Sequence, residues 1–195
     1  MSERRLAVIA AATVVVVGLA WAMFSFLGRR LAEPTPDAEP PAATAPPPAS
    51  SGPQIAATIY FASEDGASLV GVQQDVPLGE TPVAQARALV EAQLGAEPPA
   101  PLARAVPAGI TLRGVFVPGG DDAYIDLDAT VRTAVPGGSH NEMMAVYALV
   151  SVLTTNLSPI ARVQILVDGR EVDTLTGHVD LREPLRKNEG LIRTP

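Results

Sequence analysis

The stretch SHNEMMAVYALVSVLTTNLSPIARVQILVDGREVDTLTGHVDL, Ser139 to Leu181, decides the fold. Ser139 followed three residues later by Glu142 has the form of a capping box, in which each side chain satisfies the other's free backbone N–H, and Gly137-Gly138 lead into it. Met143, Val146, Tyr147, Val150 and Leu153 recur at three- and four-residue intervals, which puts them on one face of a helix running to Thr155. Such a face must be buried. Pro159 ends the segment, because the residue before a proline is driven out of the helical region. Val163, Ile165 and Val167 then alternate with Arg162, Gln164 and Leu166, the period of a strand. Asp168-Gly169 predicts a tight turn whose two central positions both take positive φ, so Glu171 to Leu175 are expected to run back beside that strand.

Upstream, Ala57 to Phe61 is a β-rich run, Glu64-Asp65-Gly66 turns the chain, and Ser68 to Val72 with Val76 forms a returning strand. Thr81-Pro82 announces a second helix, with Thr81 as N-cap and Pro82 in the first turn, where its missing N–H is harmless. Val83, Ala86, Leu89, Val90 and Leu94 supply its apolar stripe, and Gly95 with Pro98-Pro99 ends it. Ile110 to Val117 and Ala123 to Asp128 read as a hairpin around Pro118-Gly119-Gly120. The predicted order is β, β, α, β, β, α, β, β. Each helix has a single stripe to bury, so the expected class is α+β, with two helices, Pro82 to Leu94 and Ser139 to Thr155, on one face of a mostly antiparallel sheet.

The remaining segments are of other kinds. Leu6 to Leu27 carries no charge and, as a helix, would be about 33 Å long, enough to cross a bilayer core. Residues 1–30 are therefore expected to be a signal anchor in the bacterial inner membrane, with the rest of the chain extracytoplasmic. Cleavage after Ala20-Trp21-Ala22 is the alternative, and it would leave Met23 to Leu27 as an apolar new terminus. Residues 31–53 contain Pro34, Pro36, Pro40, Pro41, Pro46, Pro47, Pro48 and Pro53 among Ala, Thr and Ser, and read as a disordered spacer. The domain is expected over 54–186 and a tail over 187–195.

Composition excludes several classes of function. Of 195 residues none is cysteine, which rules out disulfides, thiolate zinc sites and a lipid-modified N-terminal cysteine. The net charge is −7, and beyond residue 50 there are 17 acidic against 10 basic side chains. Such a domain has no basic stripe with which to neutralise phosphates, so nucleic acid is not expected as a partner.

His140 and His178 are the only histidines and lie far apart. His140, in a first helical turn, is expected to be exposed, and His178 to make a structural hydrogen bond. Asp126 and Asp128 share a strand face beyond the turn residues Asp121-Asp122, a pattern open to calcium binding or acid–base chemistry but better accounted for by a solvated sheet face. No catalytic residue, cofactor or metal ligand is assigned, and the protein is not expected to be an enzyme.

Ile59-Tyr60-Phe61, Val106-Pro107 with Gly109, Ala123-Tyr124-Ile125-Asp126-Leu127, Gly138-Ser139 with Glu142, and Ala145 to Val150 with Leu153-Thr154 follow one another in a spacing that resembles the GerMN domain of bacterial sporulation and spore germination. Val163 to Gly169 and Gly177-His178-Val179-Asp180-Leu181 with Pro184-Leu185 continue the likeness, which covers about residues 55 to 186. The resemblance implies an architecture similar to ring-building-motif domains. It also implies a membrane-tethered or lipoprotein module of the cell envelope that acts by assembly, with no established catalytic residue. The expected partners are other envelope proteins or further copies of this chain, with peptidoglycan as the alternative, and the expected contact surface is the exposed sides of the two helices with Leu175 to Leu185.

Overall fold

The computed structural model describes residues 52–193. The predicted span over 6–27 and the spacer up to residue 51 lie outside the described residues. Among the described residues no helix is long and apolar enough to cross a membrane.

The chain runs β1 (Gln54–Ala62), β2 (Leu69–Pro77), α1 (Pro82–Gly95), β3 (Leu112–Phe116), β4 (Asp122–Leu127), α2 (Val131–Ala134), α3 (Ser139–Asn156), β5 (Arg162–Val167), β6 (Arg170–Glu171), β7 (Leu185–Arg186), a short 3-10 turn (Glu189–Leu191) and β8 (Ile192–Arg193). The α+β class holds, and the local signals land where expected. Thr81 is the N-cap of α1 and its Oγ1 accepts from the N–H of Ala84 at 3.1 Å. Asp168 and Gly169 take φ of 52° and 72°, the conformation that the hairpin turn requires.

The tertiary arrangement differs from the expected one in three respects. First, there are two sheets, not one: a three-stranded sheet ordered β1-β2-β8 and a five-stranded sheet ordered β3-β4-β5-β6, with β7 also on β5. Second, β4 and β5 are parallel along their whole length, because α2 and α3 form the crossover between them. Third, β6 is two residues long, and the run expected to return as far as Leu175 leaves the sheet after Glu171. Residues 187–193, read from the sequence as a tail, belong to the fold, since β8 pairs with β2 in parallel.

Helix α3 explains the second sheet. It touches β1 of one sheet, β5 of the other, and α1. Met144, Ala145, Val146, Ala148, Leu149, Val150, Val152 and Leu153 are all buried, whereas Met143 and Tyr147 of the predicted stripe are only partly covered. A helix apolar around nearly its whole circumference is an interior helix, not one with a single stripe. Its exposed residues are Ser139, His140 and Asn141 at one end and Thr155 at the other. The core is mainly aliphatic, with Phe61 and Tyr60 as its buried aromatics and Ile59, Leu89, Ile125, Leu149 and Ile165 at or near zero exposure.

Strand β1 is an outer strand of its sheet, yet its free edge does not face water. Antiparallel pairing with β2 turns the backbone groups of Thr58, Tyr60 and Ala62 outward. The Asn156 amide, at the end of α3, accepts from Thr58 N–H at 2.8 Å and donates to Thr58 C=O at 2.9 Å. The Gln93 amide, on α1, does the same for Tyr60 at 2.9 and 2.7 Å. Ala103 exchanges two backbone hydrogen bonds of 2.9 Å with Ala62. Two helix side chains thus stand where a neighbouring strand would be, which is one way a protein blocks edge-to-edge pairing.

Candidate functional site

Glu142 is the most deeply buried charged residue, at 0% exposure. It does not form the predicted capping box, since Gly138 is the N-cap of α3 and provides no side-chain cap hydrogen bond. Its carboxylate reaches instead into the loop that follows β6. Oε1 accepts from the N–H groups of Leu175 and Thr176 at 2.8 and 2.9 Å, and Oε2 from Thr176 Oγ1 and His178 N–H, both at 2.8 Å. Burial by itself would raise the pKa of the carboxyl, but these four donors outweigh it and hold the group at about 2. A carboxylate offered four converging donors gains far more than a cap returns, which is why the local pattern is overridden.

The loop so latched carries His178, whose Nδ1 lies 3.2 Å from Glu142 Oε2, in agreement with the structural role expected for it. Leu175 and Leu181 of the same loop are buried, and Gln164 of β5 donates to Leu181 C=O. His140 is exposed, as predicted, with Nε2 against Gly66 C=O.

Each aspartate weighed for chemistry has a structural partner. Asp126 is 6% exposed, not solvated as expected, because its Oδ1 accepts from Gly169 N–H at 2.7 Å and its Oδ2 from Arg113 Nε at 3.2 Å. It ties the β5–β6 turn to β4. Asp126→Ala is expected to cost about 1–3 kcal/mol in chemical denaturation, since it orphans the Gly169 N–H and the Arg113 pairing together. Asp128 bonds Thr130 Oγ1 and Thr111 N–H, which lowers its pKa. Asp122 grips Arg162 through Nε at 2.6 Å and Nη2 at 2.9 Å, and Asp121 adds a third contact at 3.2 Å. Among the described residues no group of His, Asp and Glu is placed to hold a metal ion.

These pairs lie on one face of the five-stranded sheet, whose rows are set by the strand registers. Phe116 stands opposite Tyr124, and Tyr124 beside Gln164. One row away Gly114, Asp126 and Leu166 align, and on the other side Asp122, Arg162 and Arg186. A bulge between Leu112 and Gly114 shifts the alternation of β3, so that Val115 turns inward and Phe116 outward. Phe116 is 53% exposed, the most of any large apolar side chain described. Its ring lies over Gly114, where an added Cβ would come within 3.1 Å of it. The sequence pattern alone hid this, because strict alternation puts Ile110, Leu112, Gly114 and Phe116 on one face.

The model of the family "Germane: Sporulation and spore germination" matches residues 58–173. No curated protein matches the chain. Among solved structures, the tandem GerMN domains of the sporulation protein GerM from Bacillus subtilis align with a TM-score of 0.51 at 20% identity, over 69% of this chain and 46% of that one. The first GerMN domain of the same protein aligns with a TM-score of 0.51 at 18% identity, over 70% of this chain and 98% of that one. A protein described as a putative lipoprotein from Clostridium perfringens aligns with a TM-score of 0.48 at 23% identity, over 69% of this chain and 88% of that one. With the family model covering more than half of its length, from the middle of β1 to just past β6, the chain belongs to the sporulation and spore germination (Germane) family.

Proposed function

We propose that the protein is a non-enzymatic, membrane-tethered module of the bacterial cell envelope, with its domain on the extracytoplasmic side and its work done by protein–protein assembly. The observation that carries this reading is how the two most buried carboxylates are used. Glu142 and Asp126 each have both oxygens hydrogen-bonded, Glu142 to the loop after β6 and Asp126 to the Gly169 N–H and the Arg113 side chain, while an aromatic side chain is left in the open. Catalytic carboxylates need a lone pair or proton free to meet a substrate. Glu142 already accepts two hydrogen bonds at each oxygen, and Asp126 is buried against the Gly169 N–H and the Arg113 guanidinium, so both serve a rigid scaffold that carries an outward apolar feature. Family membership supports the same reading, as does the uncharged run Leu6 to Leu27 ahead of the proline-rich stretch.

Topology and chemistry are tested separately. Protease added to spheroplasts should remove the C-terminal domain, and protection of the domain would reverse the proposed orientation. Purified domain incubated with peptidoglycan should release no muropeptides, whereas release that is lost in Asp126→Ala would make the protein a wall hydrolase. A second reading, non-catalytic binding to the glycan of the wall, has one observation in its favour: the open Phe116–Tyr124 pair could stack on a sugar face.

A further inference from the structure

We propose that the shelf formed by Phe116 and Tyr124 on the outer face of the five-stranded sheet is the docking surface for a protein segment that carries an apolar anchor flanked by lysine or arginine. The inference rests on the assembly reading and assigns it a place and a partner chemistry. Three features converge there. The tip of the Phe116 ring rests against the bare Gly114, and the side chain is otherwise more than half exposed. An aromatic with only two rotatable side-chain bonds, already resting against backbone, loses little freedom when a partner covers it, which is the property of an interface anchor. The bulge in β3 is what aims it outward, although the same strand sends Val115 into the core.

The border of the shelf sets the charge of the partner. On one side Arg162 is held by Asp122 and Asp121, and on the other Arg113 is held by Asp126 and Asp168, the last at 3.6 Å. Four carboxylates surround two guanidiniums, and Arg186 stands a further strand away beyond Arg162. The Arg162 and Arg113 guanidiniums are already committed, and even with Arg186 counted the four carboxylates outnumber the three guanidiniums, so the balance of charge at the shelf is negative. A polyanion is repelled there, and a basic segment is drawn in and oriented. The ion pairs hold the carboxylates in fixed positions, which gives such a segment a definite register.

The test uses the full chain in its own cells, with a photocrosslinking amino acid placed at position 116 and, in a second strain, at Val83, which is also exposed. The expected result is a protein adduct at 116 and not at 83, with the crosslinked peptide identified by mass spectrometry and bearing net positive charge around the attachment point. Asp121→Asn, which leaves Arg162 held by Asp122, should lower the yield of that adduct about three- to tenfold. Phe116→Ser should abolish co-purification of the identified partner with no change in melting temperature, because the ring is not part of the core. An adduct at 83 alone would overturn the shelf and leave the assembly reading standing. An adduct at 116 on an acidic or uncharged segment would overturn the partner chemistry. No protein adduct at either position, with retention of the protein on purified peptidoglycan that Phe116→Ser abolishes, would overturn both and make the shelf a sugar platform.

Discussion

Replacing Glu142 by alanine should remove about 3–5 kcal/mol of folding stability, as measured by urea denaturation, a large part of the roughly 5–15 kcal/mol of an ordinary domain. The substitution takes away one carboxylate but orphans four donors in the loop from Leu175 to His178. The donors nearest the surface regain water, which keeps the loss below the sum of four separate penalties. The loop should then become the first site of proteolytic cutting, ahead of any sheet residue. A variant as stable as the parent would show that the loop is held by Leu175 and Leu181 burial alone.

The same group predicts a pH dependence of definite sign. Its folded pKa of about 2 lies below the unfolded value of about 4.5, so the carboxylate contributes stability above pH 4.5 and that contribution is lost as pH falls toward 2. The loss should amount to about 2–3 kcal/mol for this residue. Asp65 and Asp180 are also lowered to about 2, but they are solvated and their hydrogen bonds add little. Glu142→Gln, which cannot ionise, should therefore be much less stable than the parent at pH 6 and nearly equal to it at pH 2. A constant difference across that range would rule out ionisation as the source of the latch's strength.

Gln93→Leu is the second large effect expected. The leucine fills a similar volume but cannot bond to the Tyr60 backbone, leaving one N–H and one C=O buried without partners, at about 2–4 kcal/mol for the two. Asn156→Leu should cost less, since Thr58 is only partly buried. The two sites lie two residues apart on one strand edge, so their effects should not add. The double variant is predicted to differ in kind: with both amides gone the edge of β1 is open, and size-exclusion chromatography should show dimers or larger species at concentrations where the parent is monodisperse. A destabilised but strictly monomeric double variant would mean that the helices themselves, not their amides, guard the edge.

What the sequence made legible was what depends on near neighbours. Thr81 capping α1 and Asp168-Gly169 turning into β6 are both written within a few residues, and both stand as read. Glu142 was misread for the same reason. Its neighbour Ser139 completes a local motif, but the donors that decide its position lie 33 to 36 residues further on. Gln93 and Asn156 had no local meaning at all beyond a polar residue in an apolar stripe and a helix end. Their partners on β1 are 33 and 98 residues away. A single polar side chain where a helix pattern calls for an apolar one was the available signal, and at Gln93, between Val90 and Leu94, it pointed to the strand edge. Phe116 was obscured by a bulge, which one-residue parity cannot reveal. The second sheet was missed because α3 was read for one stripe, although Ala145, Ala148, Leu149 and Val152 fill apolar positions outside it and are buried too.

The return of the chain to β2 bears on when this domain can fold. Strand β8 meets Leu69 and Val70, and Arg193 reaches Asp65 across 128 residues, so the first hairpin to be made waits for nearly the last residues before its sheet is complete. Closure over such a separation is slow, because the entropy of a long loop must be overcome before any contact rewards it. Until Ile192 and Arg193 arrive, the β1–β2 hairpin keeps open the β2 edge that takes β8, and an open strand edge is a place where a folding chain pairs wrongly.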